Sequence, residues 1–362
     1  MRKLNNILVT GGAGFIGSNF IRLMLKENTE FSGKLINLDN LTYAGNLASL
    51  ADIDKEFNGH RYFFEKGNIC NSDLLDSIFK KYEIDTVVHF AAESHVDRSI
   101  LGPRTFAETN VMGTVTLLEA ARKFWKTPDD SFRNDVLFHH ISTDEVYGSL
   151  EETGYFTETT PYDPRSPYSA SKAASDHISM SYYHTYGLPL TLSNCSNNYG
   201  PYQFPEKLIP LMILNMLNGK PLPVYGDGKN IRDWLFVNDH NHALWEIIKN
   251  GKIGEKYNIG GDNEWENIHL LETLIEVVST QANLDIEKIR KTITFVKDRP
   301  GHDRRYAIDC SKIKNELGWK QRMPFKEGLK KTVDWYLANT NWIENIRTGE
   351  YQLWVEKNYN NR

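Results

Sequence analysis

Through the first half of the chain, short apolar runs rich in β-branched residues alternate with longer stretches whose apolar positions recur every third or fourth residue. Ile7-Leu8-Val9-Thr10 passes through a glycine cluster into Ser18 to Lys26, where Phe20, Ile21 and Leu23 to Leu25 suit a buried helix. Lys34 to Leu38 predicts a second strand closing on Asp39, followed by a polar segment to His60. Arg61 to Glu65 reads as a strand and Asn71 to Tyr82 as a helix capped by Asn71 or Ser72. Thr86 to Ala92 is an almost unbroken apolar run, as expected of a parallel strand covered on both faces. Thr105 to Lys123 predicts a long helix, and Val136 to Ser142 another strand. Such alternation predicts an α/β fold with a doubly wound parallel Rossmann sheet. Beyond Gly187 the alternation loosens. There Glu206-Lys207-Leu208 precedes a helical run and Pro223-Val224-Tyr225 reads as a short strand, consistent with a smaller, interleaved C-terminal α/β substrate domain.

The polar residues at the strand ends carry the chemistry. Gly12, Gly14 and Gly17 fit G-x-G-x-x-G between a strand and a helix, with roles in the turn, in approach to a pyrophosphate and in helix–strand packing. Phosphates would meet the positive end of that helix. Asp39 falls where a ribose-binding acid is expected, and Asn40 to Tyr43 offer no arginine for a 2′-phosphate, so NAD is expected rather than NADP. Glu93-Ser94-His95 follows a strand at the sheet's carboxyl edge. Ser142 to Gly148 places Asp144 and Glu145 side by side at another strand end, where buried charge is costly unless used or paired. After Ser166-Pro167, Tyr168 and Lys172 stand one helical turn apart. A lysine ammonium lowers a phenol's pKa from about 10, which would let Tyr168 take a proton from a sugar hydroxyl while Lys172 reaches a ribose. Singly, each feature has a plainer reading: a bare glycine turn, a solvated loop acid, acids on an exposed turn, a chance helical pair. Together they point to redox chemistry.

Composition narrows the field further. The chain has 362 residues, enough for one large or two ordinary domains, and a net charge of -5 without a basic cluster, so neither nucleic acid nor a membrane is an expected partner. Cys70, Cys195 and Cys310 lie far apart with no C-x-x-C, as expected of reduced, buried thiols in a cytoplasmic protein with no metal site. Only three apolar residues separate Met1 to Asn6 from the glycine turn, too few for a signal-peptide core, and no apolar run reaches membrane-spanning length. His139 and His140 fall inside a strand run, while Trp335, Tyr336, Trp342 and Trp354 suit packing better than ligand stacking. Arg232 is a candidate diphosphate clamp. Arg299, Arg304 and Arg305 fit solvated surface equally well.

The segments Thr10 to Gly17, Ala91 to Asp97, Ser142 to Gly148, Ser166 to Lys172, Asn194 to Leu211, Arg232-Asp233-Trp234 and Asp298 to Asp309 resemble the extended short-chain dehydrogenase/reductases, and among them the dTDP-glucose 4,6-dehydratase family. The likeness spans nearly the whole chain. It implies conversion of dTDP-glucose to dTDP-4-keto-6-deoxyglucose and water through transient C4 oxidation by tightly bound NAD, C5/C6 elimination and hydride return to C6. The alternative, a nucleotide-sugar 4-epimerase, has no evident use for Asp144 and Glu145, and a non-enzymatic dinucleotide scaffold has no use for the whole set. By the same resemblance the catalytic residues are Thr143, Asp144, Glu145, Tyr168 and Lys172. Tyr168 acts at the C4 hydroxyl, Thr143 on the forming carbonyl, Glu145 at C5 and Asp144 at the departing C6 hydroxyl.

Cofactor contacts implied by the likeness are Gly11, Gly12, Gly14, Phe15, Ile16, Gly17, Asp39, Asn40, Leu41, Thr42, Asn68, Ile69, Ala91, Ala92, Glu93, Ser94, Thr109, Tyr168, Lys172 and Asn198. Substrate contacts are Ser94, His95, Thr143, Asn197, Glu206, Lys207, Leu208, Pro223, Val224, Tyr225, Arg232, Asn267, Asp298, Arg299 and His302. Asn68 departs from the family's usual aspartate, which points to an altered adenine contact without loss of NAD. The resemblance also implies a homodimer joined by Thr105 to Lys123 and Tyr168 to Tyr186, with Val111, Val115 and Leu118 at helical spacing, although these could equally pack on the subunit's own sheet. It divides the chain into an NAD-binding part, 1–190 with some later segments returning to it, and a mainly nucleotide-sugar-binding part, 191–362.

Overall fold

The computed structural model describes residues 2, 4–298 and 300–346; Arg299 and Trp354 lie outside the described residues. In chain order the strands are β1 (Asn6–Thr10), β2 (Lys34–Asp39), β3 (Tyr62–Lys66), β4 (Thr86–His89), β5 (Leu137–Thr143), β6 (Leu190–Cys195), β7 (Asn197–Tyr199), β8 (Leu222–Tyr225), β9 (Ile231–Phe236), β10 (Lys256–Ile259), β11 (Glu264–Glu266) and β12 (Ile293–Val296). Seven of them form one sheet in the order β10-β6-β5-β4-β1-β2-β3, with every neighbouring pair parallel. Because β1 lies between β2 and β4, the strand order reverses there. The crevice beyond the carboxyl ends of β1 and β4 is therefore the expected ligand site of an open α/β sheet.

Two apolar layers cover the sheet. In β1, Ile7 and Val9 join one layer with Phe20, Ile21 and Met24, while Leu8 joins the other with Leu75, Phe79 and Trp125. This is the two-residue alternation of a strand, and it explains why β4, β5 and β6 are buried at every position. A third core gathers Tyr199, Met212, Phe236, Leu270 and Leu329 around the small sheet β11-β9-β7 and the pair β12-β8. The helices Leu208–Leu217, Asn267–Ala282 and Phe325–Ala338 contribute to it. The chain enters this smaller unit after β6, returns to the large sheet with β10 and leaves again, so the two units interleave. Among the described residues no helix is long and apolar enough to cross a membrane.

Local chemistry explains several boundaries. The helix Pro167–Tyr186 begins with a capping box, in which Ser166 and Ser169 each accept the other's backbone N–H at 3.0 Å, and Pro167 occupies its first turn. It stops at Gly187, whose φ of 73° is left-handed. Asn71 caps the helix Ser72–Tyr82 by accepting from the Leu74 N–H.

Elsewhere the structure departs from the sequence reading. The run expected to extend to Ala92 leaves the ladder after His89, and the Ala91 N–H bonds to the Thr10 hydroxyl at 3.3 Å as the chain wraps over the glycine turn. The polar segment before His60 contains a short helix, Ala51–Phe57, which buries only Ile53 and Phe57. The helix expected from Thr105 to Lys123 comprises Pro103–Phe106, a π-helical turn Ala107–Met112, and Gly113–Trp125. Leu118 is fully buried in the subunit's own core and so is not available to a partner helix. Cys70 is exposed rather than buried, because it follows a loop turned by Asn68 and leaves the sheet before the next helix begins.

Candidate active site

The turn after β1 is built without side chains. Gly11 has φ 71°, and a Cβ there would stand 2.7 Å from the Ala91 backbone. Gly11, rather than Gly12, therefore makes the left-handed turn. Gly12 does not line the cavity; a Cβ there would meet Asn37 and Ile21, so it packs beneath the turn. The helix Phe15–Arg22 has Gly14 as its N-cap with no side-chain cap, leaving its first N–H groups without intrahelical partners. At Gly17 a Cβ would lie 2.5 Å from the Gly11 carbonyl oxygen and 2.8 Å from the Gly12 Cα. Both neighbours are backbone. Gly17→Ala is accordingly expected to destabilise the fold by about 1–3 kcal/mol and to lose a bound dinucleotide. Thermal melting, with assay of the cofactor released on denaturation, checks both effects.

Around this turn lies a cavity of about 450 Å³, walled by Gly11, Gly14, Phe15, Ile16 and Gly17 at one part. Asp39 borders it with Asn40 and Thr42, its carboxylate accepting from the Ala13 N–H at 2.9 Å and the Leu41 N–H at 2.8 Å. Burial raises the Asp39 pKa against the pull of these two bonds. Leu41 is not on the cavity wall; with φ 54° it turns the loop and offers its N–H to Asp39. Asn68 and Ile69 border the cavity, and Asn68 spends its side-chain oxygen on the Cys70 N–H at 2.9 Å. Ala91, Ala92, Glu93, Ser94, His95 and Thr109 continue the wall. Asn110, in the π-helical turn, exchanges bonds of 2.8 and 2.9 Å with the Glu93 backbone and donates to Ser171 at 2.9 Å. Sequence reasoning passed over Asn110; a π-turn that ties two cavity walls together has no local signature.

Thr143, Glu145, Tyr168 and Lys172 share the same cavity wall. Thr143 ends β5 and caps the 3₁₀ turn Asp144–Tyr147, accepting from the Glu145 N–H at 3.3 Å and donating to Asp144 at 3.3 Å. Asp144 sits just off the wall, only 1% exposed, and its Oδ2 has no hydrogen-bond partner among the described residues. Burial first, then Glu145 and Asp233, hold its carboxyl well above the usual pKa. Burial also pushes the Tyr168 phenol well up, followed by Glu145 and Cys195, while a hydrogen bond with Thr143 opposes them. The lowered phenol pKa expected beside Lys172 is therefore reversed in the protein alone, because desolvation outweighs the favourable neighbours. Lys172 is buried, and its Nζ donates to the Ile141 carbonyl at 2.8 Å.

The far part of the cavity is lined by Asn197, Asn198, Glu206, Lys207, Leu208, Pro223, Val224, Tyr225, Arg232, Asn267 and His302. Arg232 already donates to the carbonyls of Ile231 at 2.7 Å and Asp303 at 2.9 Å, so its guanidinium is fixed in place. Asp298 is not on the wall; its carboxylate accepts from the His302 ring at 2.6 Å. Glu206 pairs with Arg98 at 3.3 Å, and Arg98 lies over the Tyr43 ring at 3.7 Å. Neither Arg98 nor Tyr43 was singled out from sequence, since a cation–π pair between distant loops leaves no spacing to find.

Residues 8–332 match the family model described as GDP-mannose 4,6 dehydratase. The dTDP-glucose 4,6-dehydratase of Shigella flexneri is 55% identical, with 98% of this chain and 99% of that one covered. The solved dTDP-glucose 4,6-dehydratase of Bacillus anthracis, in complex with NAD, has a TM-score of 0.82 at 47% identity, covering 95% of this chain and 100% of that one. DesIV, the dTDP-glucose 4,6-dehydratase of Streptomyces venezuelae solved with NAD bound, has a TM-score of 0.84 at 44% identity, covering 94% and 100%. The chain belongs to the dTDP-glucose 4,6-dehydratase family.

Proposed function

We propose that this protein dehydrates dTDP-glucose to dTDP-4-keto-6-deoxyglucose and water, keeping NAD bound throughout. The observation that carries this reading is the meeting of Thr143, Glu145, Tyr168 and Lys172 on one wall of the cavity that begins at the glycine turn, with the Asp144 carboxyl beside them. The turn suits NAD: a helix start with no side-chain cap fits a diphosphate, and the Asp39 carboxylate fits an unmodified ribose. Gly11, Gly14, Phe15, Ile16, Gly17, Asp39, Asn40, Thr42, Asn68, Ile69, Ala91 to Ser94, Thr109, Tyr168, Lys172 and Asn198 would hold it, and Gly12 and Leu41 would act by shaping the backbone beneath. When bound, NAD supplies the reversible hydride acceptor.

The chain's own residues move the protons. Tyr168 takes the C4 hydroxyl proton as hydride leaves C4, with Lys172 adding positive charge near the phenol and Thr143 hydrogen-bonding the new carbonyl. That carbonyl acidifies C5. Glu145 removes the C5 proton, and Asp144 gives its proton to the C6 oxygen, which departs as water. Burial and the Glu145 charge raise the Asp144 pKa, which favours the protonated form this step requires. Glu145 then returns a proton to C5 as hydride arrives at C6. Arg232, Asn267, His302 and the segment Glu206-Lys207-Leu208 hold the nucleotide diphosphate.

In this reading 1–190, with the rest of β6 and with β10 returning to its sheet, form the NAD-binding domain, and 191–362 mainly hold the nucleotide sugar. We assign the protein to the cytoplasm and to a homodimer. Exposed Leu101 and Met112, each 56% accessible, support a partner face beside the helix Pro167–Tyr186. Incubation with dTDP-glucose is expected to give a product lighter by one water. An isobaric galacto sugar would instead establish the epimerase, and unchanged substrate would refute both.

A further inference from the structure

Asp176 plays no part in the steps above, yet its carboxylate is only 1% exposed and fully engaged. Its Oδ1 lies 3.1 Å from His140 Nε2, and its Oδ2 accepts from the Tyr162 hydroxyl at 2.9 Å and the Asn194 amide at 3.2 Å. The same Asn194 amide donates to the Thr143 carbonyl at 3.1 Å. Asp176 stands on the helix Pro167–Tyr186, one turn beyond Lys172 and two beyond Tyr168, on their face. We infer that Asp176 is a positioning residue for the reaction: its carboxylate locks the helix bearing Tyr168 and Lys172 to the strand end bearing Thr143, Asp144 and Glu145, and it supplies the counter-charge to the Lys172 ammonium.

The charge itself needs explaining, because a buried carboxylate is costly where a neutral amide of the same shape would serve as a joint. The groups facing Lys172 show what it is for. His89 on β4 and His140 on β5 are driven downward in pKa, by burial first, and are neutral. Cys195 on β6, pushed by burial up to about 12, is a neutral thiol. Burial depresses the Lys172 pKa, and Asp176 is the leading influence against it. Tyr147 and Tyr162 face Asp176 from the turn and loop before the helix, and Lys256 faces it from β10, with Glu158 beside them. Burial tends to raise the Asp176 pKa, but the hydrogen bond and, as the pH falls, the charge of His140, followed by the Lys172 charge, prevail and hold it below the usual range. The anion therefore persists through neutral pH.

This role rests on Tyr168 being the base. Asp176→Asn keeps the shape and removes the charge. Lys172 then loses its proton at lower pH, and the phenol loses a cationic neighbour. Asp176 itself, eight residues and roughly 12 Å along the helix from Tyr168, acts weakly on the phenol directly. In holoenzyme mixed with dTDP-glucose, the pH limb for reduction of bound NAD is expected to move upward by about one unit or more. The KM for dTDP-glucose should stay unchanged, and Asp176→Glu should restore most of the limb. Asn194→Ser keeps the charge and cuts the link to Thr143. It should leave the limb in place but let reduced cofactor accumulate before elimination, and it decides alone if Asp176→Asn yields no folded holoenzyme. An unmoved limb in Asp176→Asn, or wild-type partitioning in Asn194→Ser, overturns the role. A Tyr168→Phe control that still reduces NAD would remove the base itself, and the Asp176 role would fall with it. A dead control beside an unmoved limb removes the Asp176 role alone.

Discussion

Glu145→Gln is expected to reduce its bound NAD on meeting dTDP-glucose and then to release almost no dehydrated sugar. The amide matches the carboxylate in shape and keeps the backbone bond from the Glu145 N–H to Thr143, so the site should stay assembled. What it cannot do is accept the C5 proton. With Tyr168 as the proposed base at C4, oxidation is expected to proceed, whereas elimination should fall by about 10²–10⁴-fold, the usual size of a lost general base. Rapid mixing followed by absorbance of the reduced nicotinamide, with mass analysis of released sugar, separates the two steps. Normal elimination would remove Glu145 from its role. Two electrostatic consequences accompany the loss. After burial, the Glu145 charge is the leading cause of the raised Tyr168 pKa, so neutralising it favours the phenolate and moves the acid limb of NAD reduction to lower pH. Glu145 is likewise second to burial in holding up the Asp144 carboxyl, so the variant's Asp144 ionises more readily and is a poorer proton donor. The two acids are thus coupled, and Asp144→Asn combined with Glu145→Gln should cost less than the sum of the single changes.

Much of this site was legible in the sequence because its parts sit at strand ends, and buried parallel strands announce themselves. Thr86 to His89 and Leu137 to Thr143 are apolar enough to place Glu93, Asp144 and Glu145 at the carboxyl edge of the sheet. The start of the Tyr168 helix was marked by Ser166 and Pro167, and the structure adds Gly187 as its left-handed end. What the pattern could not separate was an apolar residue paired in a ladder from one packed over a turn. Ala91 is the second kind, fixed by a bond to the Thr10 hydroxyl, and that approach makes Gly11 the left-handed residue. Ala51–Phe57 was missed because a short helix that buries two side chains has almost no apolar stripe to detect. Asp176 had the right spacing from Lys172, but an acid on a helix is ordinarily solvated. Only the fold brings His140, Tyr162 and Asn194 around it. The direction of the Tyr168 pKa was beyond sequence for a similar reason: helical spacing gives the cationic neighbour, while burial, which dominates, depends on every element packed around the ring.

Tyr168→Phe should be silent where Glu145→Gln stalls, forming no reduced cofactor at all. The ring stands edge-on to Phe106 at 6.3 Å between centroids, in a small apolar cluster with Val96, and phenylalanine preserves that packing. Only the hydroxyl and its bond with Thr143 are lost, so folding stability should change by no more than about 1 kcal/mol. The chemical loss is far greater. Hydride can leave C4 only as the hydroxyl proton is taken, and Lys172, already donating to the Ile141 carbonyl, is not placed to accept it. A drop in NAD reduction of about 10²–10⁴-fold or more is expected, with bound NAD retained. Because elimination depends on the C4 carbonyl, Glu145 and Asp144 have no acidified C5–H to act on, and combining Tyr168→Phe with Glu145→Gln should be no slower than Tyr168→Phe alone. A stepwise order, oxidation before elimination, requires that pattern. If the double variant were markedly slower than Tyr168→Phe, Glu145 would have to act before the ketone forms, and the sequence of proton transfers drawn from this wall would be wrong.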